Sequence, residues 1–96
     1  MRIPVQSAEL LAITGADAVG FAQAQFTSDV RALGDGQWQW SAWLDPAGRV
    51  RMFFLLARID ADRLLLWLPA GDAAAQRDQL ARFVFRSRVA LEAPRG

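Results

Sequence analysis

Residues 37–68 constrain this chain more than any other stretch, because they read as three consecutive β-strands whose middle member is apolar on both sides. The expected strands are Trp38–Leu44, Val50–Ile59 and Arg63–Leu68. Asp45-Pro46-Ala47-Gly48 separates the first two. Its Pro presets φ at the second turn position and its Asp oxygen can accept from the turn's amides, as in a type I turn. Asp60-Ala61-Asp62 can close the second hairpin in the same way. An antiparallel three-strand meander is expected.

In the first strand Trp38, Trp40, Ala42 and Leu44 fall on one side and Gln39, Ser41 and Trp43 on the other, which makes the first side the more apolar. In the middle strand Phe53, Leu55, Ala57 and Ile59 face one way, and Val50, Met52, Phe54 and Leu56 the other. Two apolar faces call for a covering layer on each. With 96 residues the chain has little material for two such layers.

A hydrophobic content of 53%, a charged content of 22% and a net charge of +1 fit one folded domain over residues 1–96, with no large electrostatic field to select a partner. The sequence holds neither Cys nor His, which removes thiolate nucleophiles, imidazole bases, disulfides and the usual zinc or iron–sulfur ligands. No metal site is expected. The longest apolar runs, Met52–Ala57 and Leu64–Ala70, are far shorter than the roughly 20 residues of a membrane span, and Met1-Arg2-Ile3-Pro4 opens no signal-peptide pattern. A cytoplasmic protein without membrane contact is expected.

Elsewhere the chain starts with a short extended piece at Ile3–Val5 and a short strand at Leu10–Thr14. Thr14-Gly15-Ala16-Asp17 has capping-box spacing, and Val19, Ala22 and Phe26 follow at helical intervals. Thr27-Ser28-Asp29 then caps a helical turn from Val30 to Leu33, ended by Gly34. After the meander, Asp72 is an N-cap for a helix running to about Phe85, with Ala73, Gln76, Leu80, Phe83 and Val84 as its stripe. A strand over Arg88–Glu92 with Val89 and Leu91 inward precedes the tail Ala93-Pro94-Arg95-Gly96. The fold class is α+β, with the antiparallel meander flanked by two helices and further short strands.

Leu11-Ala12-Ile13-Thr14-Gly15-Ala16-Asp17 and Phe21-Ala22-Gln23-Ala24-Gln25-Phe26-Thr27-Ser28-Asp29-Val30 resemble the opening of the YgfZ proteins, folate-binding relatives of the glycine-cleavage T protein, an aminomethyltransferase. Asp45-Pro46-Ala47-Gly48-Arg49-Val50 resembles that family's first meander turn, Leu68-Pro69-Ala70 its strand-to-helix junction, and Phe83-Val84-Phe85-Arg86-Ser87-Arg88-Val89 the close of its first unit. The resemblance covers about 80 residues in register. It implies one half of a duplicated folate-binding fold, the N-terminal of two similar subdomains.

For function, the resemblance implies a tetrahydrofolate-binding module serving tRNA modification and iron–sulfur cluster assembly or repair. The alternative is a fragment of a tetrahydrofolate-dependent aminomethyltransferase. The YgfZ Lys-Gly-Cys motif is absent, and the aminomethyltransferase carboxylate after the turn glycine has no counterpart among Arg49, Val50, Arg51 and Met52. The Asn that the aminomethyltransferases carry near the strand-to-helix junction is replaced by Pro69. Catalysis by this chain alone is not expected.

A pterin needs an apolar slot and its glutamate tail needs cations, so Trp43, Arg49, Arg51 and Met52 are the candidate ligand-binding residues. Each also has a plainer reading, Trp43 and Met52 as core and the two arginines as a solvated row. Gln23, Gln25, Thr27 and Asp29 either line a pocket or serve as caps and hairpin supports. Arg77, Arg82, Arg86 and Arg88 with Phe83 and Phe85 form a basic and aromatic cluster, yet no RNA-binding signature accompanies it and direct nucleic-acid binding is not expected. Asp60 and Asp62 sit at a hairpin tip as solvated turn residues. The expected partners are a reduced folate and, over the apolar surface that half of a duplicated fold leaves open, either the second subdomain or a second copy in a homodimer.

Overall fold

The computed structural model describes residues 9–70 and 72–93; the extended piece expected at Ile3–Val5 and the tail's residues 94–96 lie outside them. Five strands form one antiparallel sheet: β1 (Glu9–Thr14), β2 (Trp38–Leu44), β3 (Val50–Asp60), β4 (Arg63–Leu68) and β5 (Ala90–Glu92). Their spatial order is β2-β3-β4-β1-β5. Two helices, α1 (Ala18–Gln25) and α2 (Ala73–Ala81), and a 3₁₀ turn over Val30–Ala32 complete the elements.

The Asp45 turn forms for the reasons its residues suggest. Gly48 N–H donates to the Asp45 carbonyl at 2.9 Å, the Asp45 carboxylate accepts from the amides of Ala47 and Arg49, and Gly48 takes a φ of +86°. At the second hairpin the Asp60 carboxylate accepts from the Asp62 amide and from Arg63 Nε at 2.8 Å. The hydrogen bond from Arg63, with the Asp62 amide behind it, holds the Asp60 carboxyl below the usual carboxylate range.

Among the described residues, one face of the sheet is covered and the other is not. Leu11, Ile13, Phe54, Leu56, Leu64, Leu66 and Leu68 pack under Ala18, Phe21, Ala22 and Leu80 from the helices, each large side chain contributing about 1.5–3 kcal/mol by leaving water. This corrects the expectation of a layer on both sides. In β2 the less apolar side is the buried one: Ser41 and Trp43 are buried, whereas Trp38, Trp40 and Leu44 are exposed. Ser41 tolerates burial because its hydroxyl accepts from Ser28 Oγ at 2.8 Å, and Ser28 in turn accepts from Gln39 Nε2. Val50 leaves the buried row of β3 because the register slips between Trp43 and Leu44, leaving Arg51 as the extra residue.

The two helices also depart in detail from expectation. Thr14 belongs to β1 and Asp17 makes no side-chain cap; its carboxylate accepts from the Arg88 amide at 2.7 Å, tying the start of α1 to the segment before β5. For α2, Asp72 caps as expected by accepting from the Ala75 amide, and Glu9 of β1 adds a second carboxylate on the Ala73 amide at 2.6 Å. The helix stops at Ala81 rather than Phe85. Phe83 N–H reaches Leu80 and Val84 N–H reaches Ala81, so the last turn tightens to 3₁₀ spacing and leaves Phe83 exposed.

Candidate functional site

The uncovered sheet face is an aromatic surface built by strand register. Cross-strand partners share a face, so the pairings Trp40 with Leu55, Leu55 with Trp67 and Trp67 with Leu10 lay one apolar row across four strands. A second row runs Trp38, Ala57, Leu65, Ala12. Trp38 is 61% exposed, Trp40 48%, Phe53 52% and Trp67 37%. The Trp40 and Phe53 rings are stacked, centroids 5.0 Å apart and planes 2° from parallel, and Trp67 stands 6.4 Å from Trp40 at a tilt of 56°.

Such a surface offers flat π-faces, indole N–H donors and no charge at its centre. That chemistry suits a planar heteroaromatic ring, which stacks well and needs only a few hydrogen bonds. In the sequence its signal is the alternation of Trp38 and Trp40 in β2, with Phe53 in β3 and Trp67 in β4.

The residues singled out from sequence lie apart from this surface. Trp43 is 3% exposed and Met52 4%, paired across β2 and β3 on the covered face. The Arg51 guanidinium lies over the Trp43 ring, 4.9 Å from its centroid, and Phe83 meets that ring edge-on at 5.7 Å. Arg51 is half-buried, with its carbonyl accepting from Gln76 Nε2, while Arg49 is exposed at the hairpin end.

The polar group after α1 supports the sheet edge. Thr27 exchanges hydrogen bonds with the backbone of Ala42 through its amide and its hydroxyl, Gln23 accepts from the Arg31 amide, and the Asp29 carbonyl accepts from Gln39 Nε2. Among the described residues no group of three or more His, Cys, Asp or Glu could hold a metal ion, and no helix is long and apolar enough to cross a membrane.

The crystal structure of the glycine cleavage system aminomethyltransferase T from Bartonella henselae superposes on 94% of this chain with a TM-score of 0.85 and 26% sequence identity. The chain shares the fold of aminomethyltransferase T. It spans 25% of that aminomethyltransferase T chain. An uncharacterized protein of Haemophilus influenzae is 27% identical over 84 residues, which are 88% of this chain and 30% of that protein. No family model matches. That aminomethyltransferase T chain carries about three times as much further polypeptide beside the part this chain matches.

Proposed function

We propose that this chain is the first α+β unit of a tetrahydrofolate-binding protein built like aminomethyltransferase T, and that the aromatic face of Trp40, Phe53 and Trp67 is one wall of its folate site. The open stack of Trp40 and Phe53 carries this reading. A pterin lies flat on such a wall, and its glutamate tail reaches toward Arg49, exposed in the turn just before β3. Arg51, whose guanidinium lies over Trp43 on the covered face, is not part of this wall.

An open wall leaves half of a ligand in water, whereas folate-sized ligands bury most of their surface. The second wall comes from the remaining subdomain of a longer polypeptide or from a second copy of this chain. In this reading the unit is a non-catalytic, YgfZ-type binding module, with its work in tRNA modification or iron–sulfur cluster maintenance. The absence of a carboxylate among Arg49, Val50, Arg51 and Met52 supports it.

A second reading, a piece of a tetrahydrofolate-dependent aminomethyltransferase, is favoured by the likeness to the Bartonella henselae protein. It requires a carboxylate from other polypeptide to act on the folate nitrogen. Calorimetric titration with 5-formyltetrahydrofolate tests the shared core of both readings; tetrahydrofolate-dependent aminomethyl transfer by the complete protein separates them.

A further inference from the structure

β5 is the terminal strand of the sheet, and among the described residues no strand pairs with its outer edge. Which backbone groups face that edge follows from β1. Gly15 N–H donates to the Asp62 carbonyl on the β4 side, so the alternation of an antiparallel ladder turns the backbone groups of Ala12 and Thr14 toward β5. Their partners Glu92 and Ala90 therefore direct their own amides and carbonyls to β1, and those of Arg88 are bound on the same side by Asp17. Val89 and Leu91 are left with amides and carbonyls directed to the outer edge.

Side chains of this segment alternate between the faces of the sheet. Leu91 pairs with the buried Ile13 and, together with Val89, packs against the core and lines a groove beside Ala81 and Val84. Arg88, Ala90 and Glu92 are exposed. Neither Arg88 nor Glu92 forms an ion pair among the described residues, and four residues of extended chain, about 13 Å at roughly 3.3 Å per residue, keep the two apart. A strand edge with a free cation at one end, a free carboxylate at the other and Ala90 midway is complementary in charge to a second copy of itself run in the opposite direction.

We propose that two copies of this chain join antiparallel through the outer edges of β5, about a two-fold axis at Ala90, with Arg88 of each copy opposite Glu92 of the other. Val89 of one copy then exchanges backbone hydrogen bonds with Leu91 of the second, using the amides and carbonyls that the sheet leaves free. A parallel pairing would set like charges side by side. The contact joins two five-stranded sheets into one and brings the apolar grooves of Val84, Val89 and Leu91 together across the axis. A strand this short buries little surface, so the contact is weak. It is separate from the open aromatic face and does not depend on the folate reading.

The chain holds no Cys, so a single introduced thiol reports the pairing. At a non-hydrogen-bonded position on the axis the opposed Cα atoms stand about 4.5 Å apart, within the roughly 4.4–6.8 Å that a disulfide bridges. Ala90→Cys and, as a control, Ala61→Cys at the exposed β3–β4 turn are each made in a Phe53→Glu chain, which removes association through the open face, and are oxidised at high micromolar concentration. Non-reducing electrophoresis is expected to show linked dimer forming faster for Ala90→Cys than for Ala61→Cys. Adding Glu92→Arg is expected to slow that linkage about tenfold, and the swap of Arg88→Glu with Glu92→Arg to restore it. Equal rates for the two thiols, no effect of Glu92→Arg, or failure of the swap to restore linkage would each overturn the proposal.

Discussion

Trp40 and Phe53 stack across β2 and β3 with planes 2° from parallel, although both rings stand on the side of the sheet that no helix covers. They sit on diagonal positions, Phe53 being paired with Ala42 and Trp40 with Leu55. Diagonal aromatic pairs contribute about 0.5–1.5 kcal/mol beyond burial. The stack is thus a modest contribution to folding and a large apolar exposure left for something else to cover.

Substitution on the two faces of the sheet separates these roles. Phe54→Ala empties a fully buried site packed edge-on against Phe26 and is expected to cost about 3–5 kcal/mol. Trp40→Ala is expected to cost less than about 1.5 kcal/mol. Urea denaturation of the two variants checks the contrast, and equal losses would mean that the open face is part of the core.

The open face also predicts self-association when the chain is alone. Light scattering at high micromolar concentration is expected to detect a dimer that Phe53→Glu returns to monomer, since a charge at the centre of an apolar contact lacks a partner. A monodisperse monomer of the unsubstituted chain would remove the second copy as a source of the missing wall.

Gly15 has a φ of +123°, and a Cβ there would run into the Arg88 carbonyl oxygen. Backbone on both sides is fixed: the Gly15 amide donates to Asp62 at 2.8 Å and the Asp17 amide to Arg88 at 3.2 Å. Gly15→Ala is expected to destabilise by roughly 3 kcal/mol. A urea midpoint unchanged by the substitution would contradict this geometry.

Asp60 supplies the pH dependence. Because its folded carboxyl is held below the usual range by Arg63, its contribution is present above the unfolded value, near the roughly 3.9 of a free Asp, and fades as pH falls through the lower folded value. The stability difference between the wild type and Asp60→Asn is therefore expected to shrink on acidification below that range. Because Asp60 stands at a solvent-accessible hairpin tip, the effect is small and is best read by titrating its carboxyl by NMR.

Local chemistry was legible in the sequence and long-range chemistry was not. The bounds of β2 and β4, the Asp45 turn and the Asp72 cap follow from residues within a few positions of one another. The Glu9 cap on α2 and the Asp17 contact with Arg88 join residues 64 and 71 positions apart, and no local pattern announces them. No Gly or Pro marks the end of α2; the chain tightens into 3₁₀ spacing there instead. Apolarity marks the Trp38, Trp40 and Leu44 side of β2 as the more apolar, but the side that goes inside is the one where the Ser28 and Gln39 contacts let Ser41 be buried.

Isothermal calorimetry of the purified chain with 5-formyltetrahydrofolate tests the central claim most directly, with Trp40→Ala titrated beside the wild type. The account predicts saturable binding at one ligand per chain or per dimer, weakened about tenfold or more by Trp40→Ala, as expected when one stacking surface is removed. Absence of binding at millimolar folate, or binding that Trp40→Ala leaves unchanged, would contradict the assignment of the aromatic face as a folate wall.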